Sequence, residues 1–353
     1  MDGHFELAAG CFSAEAGKSA ASGEALCLPP DRVYADFRKM AEAEAALPPE
    51  ERIDAVAVVT PNHLHVPVAE TFLAHGFHVI CDKPLSDRPE RAERLADAVA
   101  ESGRIFALTH NYAGYPMVKE ARQRVREGAL GALRKVVVEY PQDWLRSPLE
   151  RDNQKQASWR TNPEMAGQAG CIGDIGTHAE HLVRYVTGLE IEALCADFTT
   201  FVEGRALEDD GTFLLRFRGG AKGVLYASQI STGEENNLMI RVYGTEGGLE
   251  WRQEAPNALD LTPAGGPRQR LTRASPYLGE AALAAGRLPP GHPEGFIEAF
   301  ANLYGEVARA IRGFAGTGDY DFPTVADGVA GMRFIGAAVR SAASAEKWTK
   351  ITE

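Results

Sequence analysis

The first third of the chain alternates short apolar runs with amphipathic stretches. Ala55-Val56-Ala57-Val58-Val59 is apolar almost without a break, as a strand is when both its faces are covered. Phe5 to Gly10, His78 to Cys81 and Ile105 to Thr109 read as further strands. Val66 to His75 reads as helix, and Ala92, Leu95, Ala96 and Val99 keep the i, i+3, i+4, i+7 spacing of another. A helix from about Pro116 has proline in its first turn and is expected to stop at Gly128. Strands that alternate with helices predict a parallel sheet with right-handed crossovers.

After Gly131 the pattern changes. Arg134 to Tyr140, Ala193 to Val202, Thr212 to Phe217, Gly223 to Ser228 and Met239 to Tyr243 read as strands, with one helix from about Asp174 to Gly188. Gly219-Gly220 is a hairpin signal between two of them. Strands without intervening helices predict a largely antiparallel sheet with one face on helices and one free. A free face of that size is an expected subunit interface. Phe296, Phe300, Leu303, Val307 and Ile311 mark one closing helix, and Val325 to Ala343 forms a second. Pro256 to Pro290, rich in Gly, Pro and Ala, reads as a mobile excursion.

Composition narrows the possibilities. The 353 residues carry a net charge of −12, with no basic stripe of the kind that binds nucleic acid. No apolar run approaches the roughly 20 residues of a membrane span. Cys11, Cys27, Cys81, Cys171 and Cys195 are scattered and form no CxxC pair, so reduced thiols in a cytoplasmic protein are expected.

Candidate chemistry gathers at strand ends. The run Val79-Ile80-Cys81-Asp82-Lys83-Pro84 ends an apolar strand at a proline, which leaves Lys83 at the carboxyl edge of the sheet, where open α/β folds bind ligands. Thr60-Pro61-Asn62-His63-Leu64-His65 follows the preceding strand on the same edge. In Gly173-Asp174-Ile175-Gly176-Thr177-His178, Asp174 and His178 are four residues apart and would share a helix face. A histidine beside a carboxylate suits general acid–base work at neutral pH; the same residues suit a helix N-cap and a core histidine. His178, Glu180 and His181 match no standard zinc spacing, so no metal is expected. Trp144 and the pair Trp159-Arg160 could stack on and hydrogen-bond to a sugar ring.

Five collinear segments, VVTPNHLH, HVICDKPLS, SWRTNPEMAG…GDIGTHAEHL, VYGTEGGLEW and YDFPTVADGVAGMRF, together resemble the Gfo/Idh/MocA oxidoreductases over nearly the whole chain. The resemblance implies an NAD(P)-binding Rossmann-like domain over residues 1–112 and an α/β domain with an open, mainly antiparallel sheet over 113–353. The last helix would return to the first domain. It implies hydride transfer between NAD or NADP and a hydroxyl or carbonyl carbon of a sugar, sugar derivative or inositol, in a homodimer or homotetramer assembled through the open sheet. A non-catalytic nucleotide- or sugar-sensing protein of the same fold is the alternative.

Carried over by position, Lys83, Asp174 and His178 match the family's catalytic residues. Thr60, Pro61, Asn62, His65, Asp82 and Lys83 match its cofactor loops, with Asp82 where Glu is usual and a Lys83–Pro84 bond that is often cis. Asn111 is expected against cofactor, and Tyr115, Trp159 and Arg160 against substrate. Ser13 stands where the ribose 2′-hydroxyl is commonly read; with Lys18 nearby it would tolerate a 2′-phosphate, though Glu15 blurs this. The family's opening strand and Gly-rich phosphate turn have no counterpart ahead of Phe5, and no GxGxxG occurs before residue 60. That leaves facing, unpaired edges on the Phe5–Gly10 and Ala55–Val59 strands. A longer natural protein is the expected explanation; a chain that is natural as given and binds cofactor weakly or not at all is the alternative.

Overall fold

The structure is a computed structural model that describes residues 1–313 and 320–351. Two parallel ladders make up its first part. Strand β1 (Gly10–Cys11) leads through helix α1 (Ala16–Ala25) to β2 (Val33–Tyr34), its parallel neighbour. Helix α2 (Phe37–Ala45), capped by the Asp36 carboxylate on the N–H groups of Arg38 and Lys39, leads on to β3 (Ala55–Val58). Helix α3 (His65–Ala74), β4 (His78–Cys81), α4 (Pro89–Ser102) and β5 (Phe106–Leu108) complete a parallel sheet of order β3-β4-β5. No ladder joins β1 to β3.

The strand expected over Phe5 to Gly10 shrinks to Gly10–Cys11. With no ladder to join, the preceding residues lie elsewhere. The Phe5 ring meets Tyr304 edge-on at 5.9 Å, and Asp2 is ion-paired with Arg287.

The rest of the chain builds on one large sheet. Helix α5 (Pro116–Arg126) leads to β6 (Leu133–Pro141). Two short helices, α6 (Lys155–Arg160) and α7 (Pro163–Ala166), precede a π-helical turn, Ile172–Gly176, that runs into α8 (Thr177–Thr187). Then follow β7 (Ile191–Thr199), β8 (Asp210–Phe217), β9 (Lys222–Ser228), β10 (Met239–Gly244), β11 (Gly247–Arg252), β12 (Ala258–Pro263) and β13 (Gln269–Thr272). Helices α9 (Glu280–Ala284), α10 (Phe296–Ile311) and α11 (Val325–Ala342) come before the edge strand β14 (Thr349–Lys350). The nine strands take the order β13-β12-β11-β10-β6-β9-β8-β7-β14, antiparallel throughout except where β6 pairs with β9.

Alternation along β8 explains why one face is covered. Phe213, Leu215 and Phe217 point into the core, where Phe334 of α11 meets Phe213 at 5.4 Å, while Thr212, Leu214 and Arg216 face outward. Helix α11 packs on both β7 and α4, and so fastens the large sheet to the parallel one.

The segment Pro256 to Pro290 is not the loose excursion its composition suggested. It adds β12, β13 and α9 to the edge of the large sheet. The reason is Arg273, a buried cation in that segment. It pairs with Glu294 at 2.8 Å and donates to the carbonyls of Leu288 and Pro289, so backbone acceptors that composition cannot reveal hold the chain in place.

Candidate active site

Strand β4 ends at Cys81, and Asp82 and Lys83 project from its carboxyl edge ahead of a cis Lys83–Pro84 bond. Thr109, just past β5, donates to Asp82 Oδ1 at 2.6 Å and so fixes the acid to the neighbouring strand. Lys83 reaches across to the π-helical turn. Its Nζ lies 2.7 Å from Asp174 Oδ1 and 2.6 Å from the Asp174 carbonyl. The second carboxylate oxygen accepts from Gln229 at 2.9 Å and from Arg160 at 3.2 Å. Asp174 is therefore no helix cap. Burial alone would raise its pKa, yet Lys83 and Arg160 outweigh burial and hold the carboxyl well below the usual carboxylate range.

His178, the second residue of α8, is buried and lines the same cavity as Lys83 and Asp174. Burial, then Lys83 and His110, drive its pKa far down, so the imidazole is neutral and able to accept a proton. The cavity measures about 520 Å³. Its remaining wall is dominated by amides and hydroxyls: Gln142, Gln154, Gln156, Asn236, Tyr112 and Tyr140, with Trp144, Phe296 and Phe300 supplying apolar surface. The Tyr112 and Tyr140 hydroxyls are hydrogen-bonded to each other, and Tyr140 donates to Asn236 Oδ1 at 2.7 Å.

The residues read from the sequence do not all share this cavity. Lys83, Asp82, Asn111, Arg160, Asp174 and His178 do. Thr60, Pro61 and Asn62 stand at the end of β3, on the same sheet edge. His65 turns inward: its ring nitrogens meet the carbonyls of Pro84 and Thr60, each at 2.8 Å, and pin the two loops together. Tyr115 is buried away from the cavity against Trp251, because the turn Asn111–Gly114 presents Tyr112 there instead. Trp159 is likewise absent from the wall. Its indole N–H donates to Gln156 while Arg160 stacks on its ring at 4.2 Å, and Trp144 takes the cavity position. Ser13 lies outside the cavity, where its hydroxyl accepts from the Glu15 N–H ahead of α1; Lys18 is paired with Glu15.

Sequence reading missed His110, Tyr112, Tyr140, Gln229 and Asn236. His110 and Tyr112 follow directly on a strand's carboxyl end, a signal that was available in Thr109-His110-Asn111-Tyr112. Asn236 and Gln229 sit in the loop after β9 and carry no local motif. Among the described residues no three His, Cys, Asp or Glu side chains are grouped to hold a metal ion. No helix there is long and apolar enough to cross a membrane.

Residues 6–110 match the family model described as an oxidoreductase family with an NAD-binding Rossmann fold, and residues 118–250 match the GFO/IDH/MocA C-terminal domain. The strand ends fit the nicotinamide side of such a cofactor. Thr60 Oγ1, Asn62 Oδ1, His63 Nδ1 and Asn111 Nδ2 are all buried at the ends of β3 and β5 without a protein partner, and a bound polar group would satisfy them.

An oxidoreductase structure from Sinorhizobium meliloti is 47% identical, covers 99% of this chain and 93% of its own, and superposes with a TM-score of 0.90. An inositol dehydrogenase homolog from Azotobacter vinelandii, in complex with NADH and myo-inositol, is 34% identical over 98% of this chain and 90% of its own, with a TM-score of 0.91. Levoglucosan dehydrogenase of Pseudarthrobacter phenanthrenivorans is 28% identical over 85% of this chain and 80% of its own. With both family domains in order and a 47% identical structure matched over 93% of its own chain, the chain belongs to the Gfo/Idh/MocA oxidoreductases and carries an NAD-binding Rossmann domain.

Proposed function

We propose that the protein is a dehydrogenase that interconverts a secondary hydroxyl and a ketone on an uncharged cyclic polyol or sugar. Residues 1–112 would hold NAD or NADP and residues 113–353 the substrate. The observation that carries this reading is the grouping of Lys83, Asp174 and His178 on one cavity wall beside the strand ends of the Rossmann domain. When bound, the dinucleotide supplies the hydride acceptor. Lys83 would hold the reacting oxygen, Asp174 would fix Lys83 and orient the neighbouring hydroxyl, and His178 would take the hydroxyl proton, a contribution of roughly 10²–10⁴-fold.

The wall also argues for a neutral substrate. Its ionised groups are two acids, Asp82 and Asp174, and two bases, Lys83 and Arg160. Their charges cancel only with both acids counted, and each cation is already ion-paired with Asp174, so a substrate carboxylate would find no unpaired cation. Amide and phenol groups, which exchange hydrogen bonds with hydroxyls, fill the rest. A relative crystallised with myo-inositol and another named for levoglucosan are consistent with this class. A sensing role without turnover would leave the aligned Lys83, Asp174 and His178 without a task. Five unpaired cysteines favour a reducing, cytoplasmic setting, and the open face of the large sheet favours a homo-oligomer.

The test is a panel of inositols, anhydrosugars, aldoses and uronic acids with NAD⁺ and with NADP⁺, followed by nicotinamide absorbance. Turnover of neutral polyols, lost in His178→Ala, is expected. Preference for uronic acids, or undiminished turnover in His178→Ala, would overturn the reading.

A further inference from the structure

Three histidines stand side by side behind the cavity wall. His178 and His181 belong to α8, and His110 follows β5; all three are buried. His110 Nδ1 lies 3.4 Å from His178 Nδ1, and the two rings meet edge-on at 84°. Catalytic hydrogen bonds are often this long before a ligand tightens the site. On its other side the His110 ring lies flat against His181, centroids 4.2 Å apart and planes 5° apart, which fixes its tilt. Among the described residues no other side-chain hydrogen bond reaches either His110 or His178.

A bond between two Nδ1 atoms constrains both rings, since one nitrogen must carry a proton and the other a lone pair. For His178 to take a proton at Nε2, its neutral form must carry hydrogen on Nδ1. His110 then accepts at Nδ1 and carries its own hydrogen on Nε2. The contact therefore selects the tautomer that a base at Nε2 requires. The groups facing this pair are Lys83 from the end of β4, Asp174 from the π-helical turn, Tyr112 and Tyr140, and His181 and Arg184 of α8. An imidazolium on His178 would stand close to the Lys83 ammonium, so its second proton has reason to move on.

We infer that His110 is the proton partner of His178, setting its tautomer before the reaction and accepting its Nδ1 proton afterwards. The inference rests on the reading of His178 as the group that takes the hydroxyl proton. In the step, the substrate O–H bond breaks and an Nε2–H bond forms on His178. The Nδ1–H bond of His178 then breaks as an Nδ1–H bond forms on His110, and one proton has moved one ring further from the substrate with no change in electron count. His181 acts as the positioning residue that keeps the His110 ring edge-on to His178.

Two measurements test this. In ¹⁵N-labelled protein without substrate, the His178 Nδ1 resonance should be of the protonated type and the His110 Nδ1 resonance of the unprotonated type, with scalar coupling between them. That reading is independent of turnover; a His178 ring protonated only at Nε2 would overturn the inference. In the polyol assay, His110→Phe keeps the stack on His181 and removes the acceptor. We expect its kcat to fall at least tenfold, with KM for polyol and cofactor within threefold. His110→Asn keeps an acceptor oxygen but cannot take the proton, so KM and the thermal midpoint should hold while kcat remains depressed. Full kcat in both variants, in an enzyme that His178→Ala inactivates, would overturn the role of His110 alone. Full kcat in His178→Ala would instead overturn the base assignment.

Discussion

Lys83 Nζ donates to both the carboxylate and the main-chain carbonyl of Asp174, at 2.7 and 2.6 Å, so one lysine ties the end of β4 to the turn before α8. The two residues are 91 positions apart, one just past a strand of the parallel sheet and the other in the π-helical turn ahead of α8. The pair is unequal. Asp174 has Arg160 and Gln229 besides Lys83, whereas Lys83 has Asp174 alone among the described residues.

That inequality gives the first expectation. Lys83→Met leaves a carboxylate still met by two donors, so stability should fall by no more than about 1 kcal/mol. Asp174→Ala leaves Lys83 and Arg160 facing each other without an anion, at a cost on the order of 2–3 kcal/mol. That is the low side for breaking a buried pair, since both side chains keep some solvent contact. Turnover should collapse in both. Urea melts of the two variants and the double variant check this; equal losses would mean that Lys83 contributes as much as Asp174 to holding the halves together.

The chemistry of this pair was legible because Lys83 follows a strand and Asp174 precedes a helix whose periodicities are plain. The run His78 to Cys81 and the apolar strand before Thr60 coincide with observed strands, and Phe296 to Ile311 is helical as spaced. What periodicity could not give was the side of a turn on which a residue emerges. Tyr115 and Tyr112 are three residues apart in one loop, yet only the 3₁₀ geometry of Asn111–Gly114 decides which reaches the cavity. Trp159 was displaced from the wall by Trp144 for a similar reason, since α6 turns its indole toward its own Gln156. Arg273 escaped notice because its acceptors are backbone carbonyls 15 and 16 residues onward, which no side-chain pattern records.

Stability should fall as pH drops from 7 toward 5. Burial, together with neighbouring cations and histidines, pushes His110, His178 and His181 well below the ordinary histidine value, so all three are neutral when folded. An unfolded imidazole takes its proton near 6.5. Between that value and the lower folded one, the unfolded chain binds more protons, which stabilises it relative to the folded chain. Each histidine then removes up to about 1.4 kcal/mol per pH unit. The contribution is fully present above about pH 7. Asp174, depressed in the folded state, adds a loss of the same sign only at lower pH, as it approaches the unfolded carboxylate range. Urea melts from pH 8 to 5 should show the slope steepening below 6.5, and His181→Phe should flatten it; a pH-independent midpoint would refute the expectation.

The phenol pair should govern substrate affinity more than rate. Asn236 Oδ1 accepts from Tyr140 at 2.7 Å and from Gln142 at 2.7 Å, and so positions two side chains of the cavity wall at once. Tyr140→Phe removes one donor and leaves the Tyr112 hydroxyl only the longer contact from Asn236 Nδ2 at 3.4 Å. A lost hydrogen bond of about 1–2 kcal/mol corresponds to a rise in KM of roughly 5- to 30-fold. With Lys83, Asp174 and His178 untouched, kcat should stay within threefold. Steady-state kinetics on the best neutral polyol separate the two; a fall in kcat at constant KM would place Tyr140 in the chemical step instead.

The open face of the large sheet should govern assembly. Cys195, Leu214, Val224 and Val137 are successive register partners across β7, β8, β9 and β6, and together they form one apolar stripe on the uncovered side. Leu214, at its centre, is 45% exposed. Water is a poor solvent for such a stripe, and a second copy presenting the same face would cover it symmetrically. Leu214→Lys would bring two ammonium groups toward each other across that contact, with no countercharge at Cys195 or Val224, its neighbours in register. Light scattering should therefore show a multiple of the 38.1 kDa chain for the unaltered protein and a shift toward the single chain for Leu214→Lys. Ile297→Lys, on α10 and already 67% exposed, introduces the same charge elsewhere and should leave the mass unchanged. A monomeric unaltered protein, or equal masses in the unaltered protein and Leu214→Lys, would exclude the face as an interface.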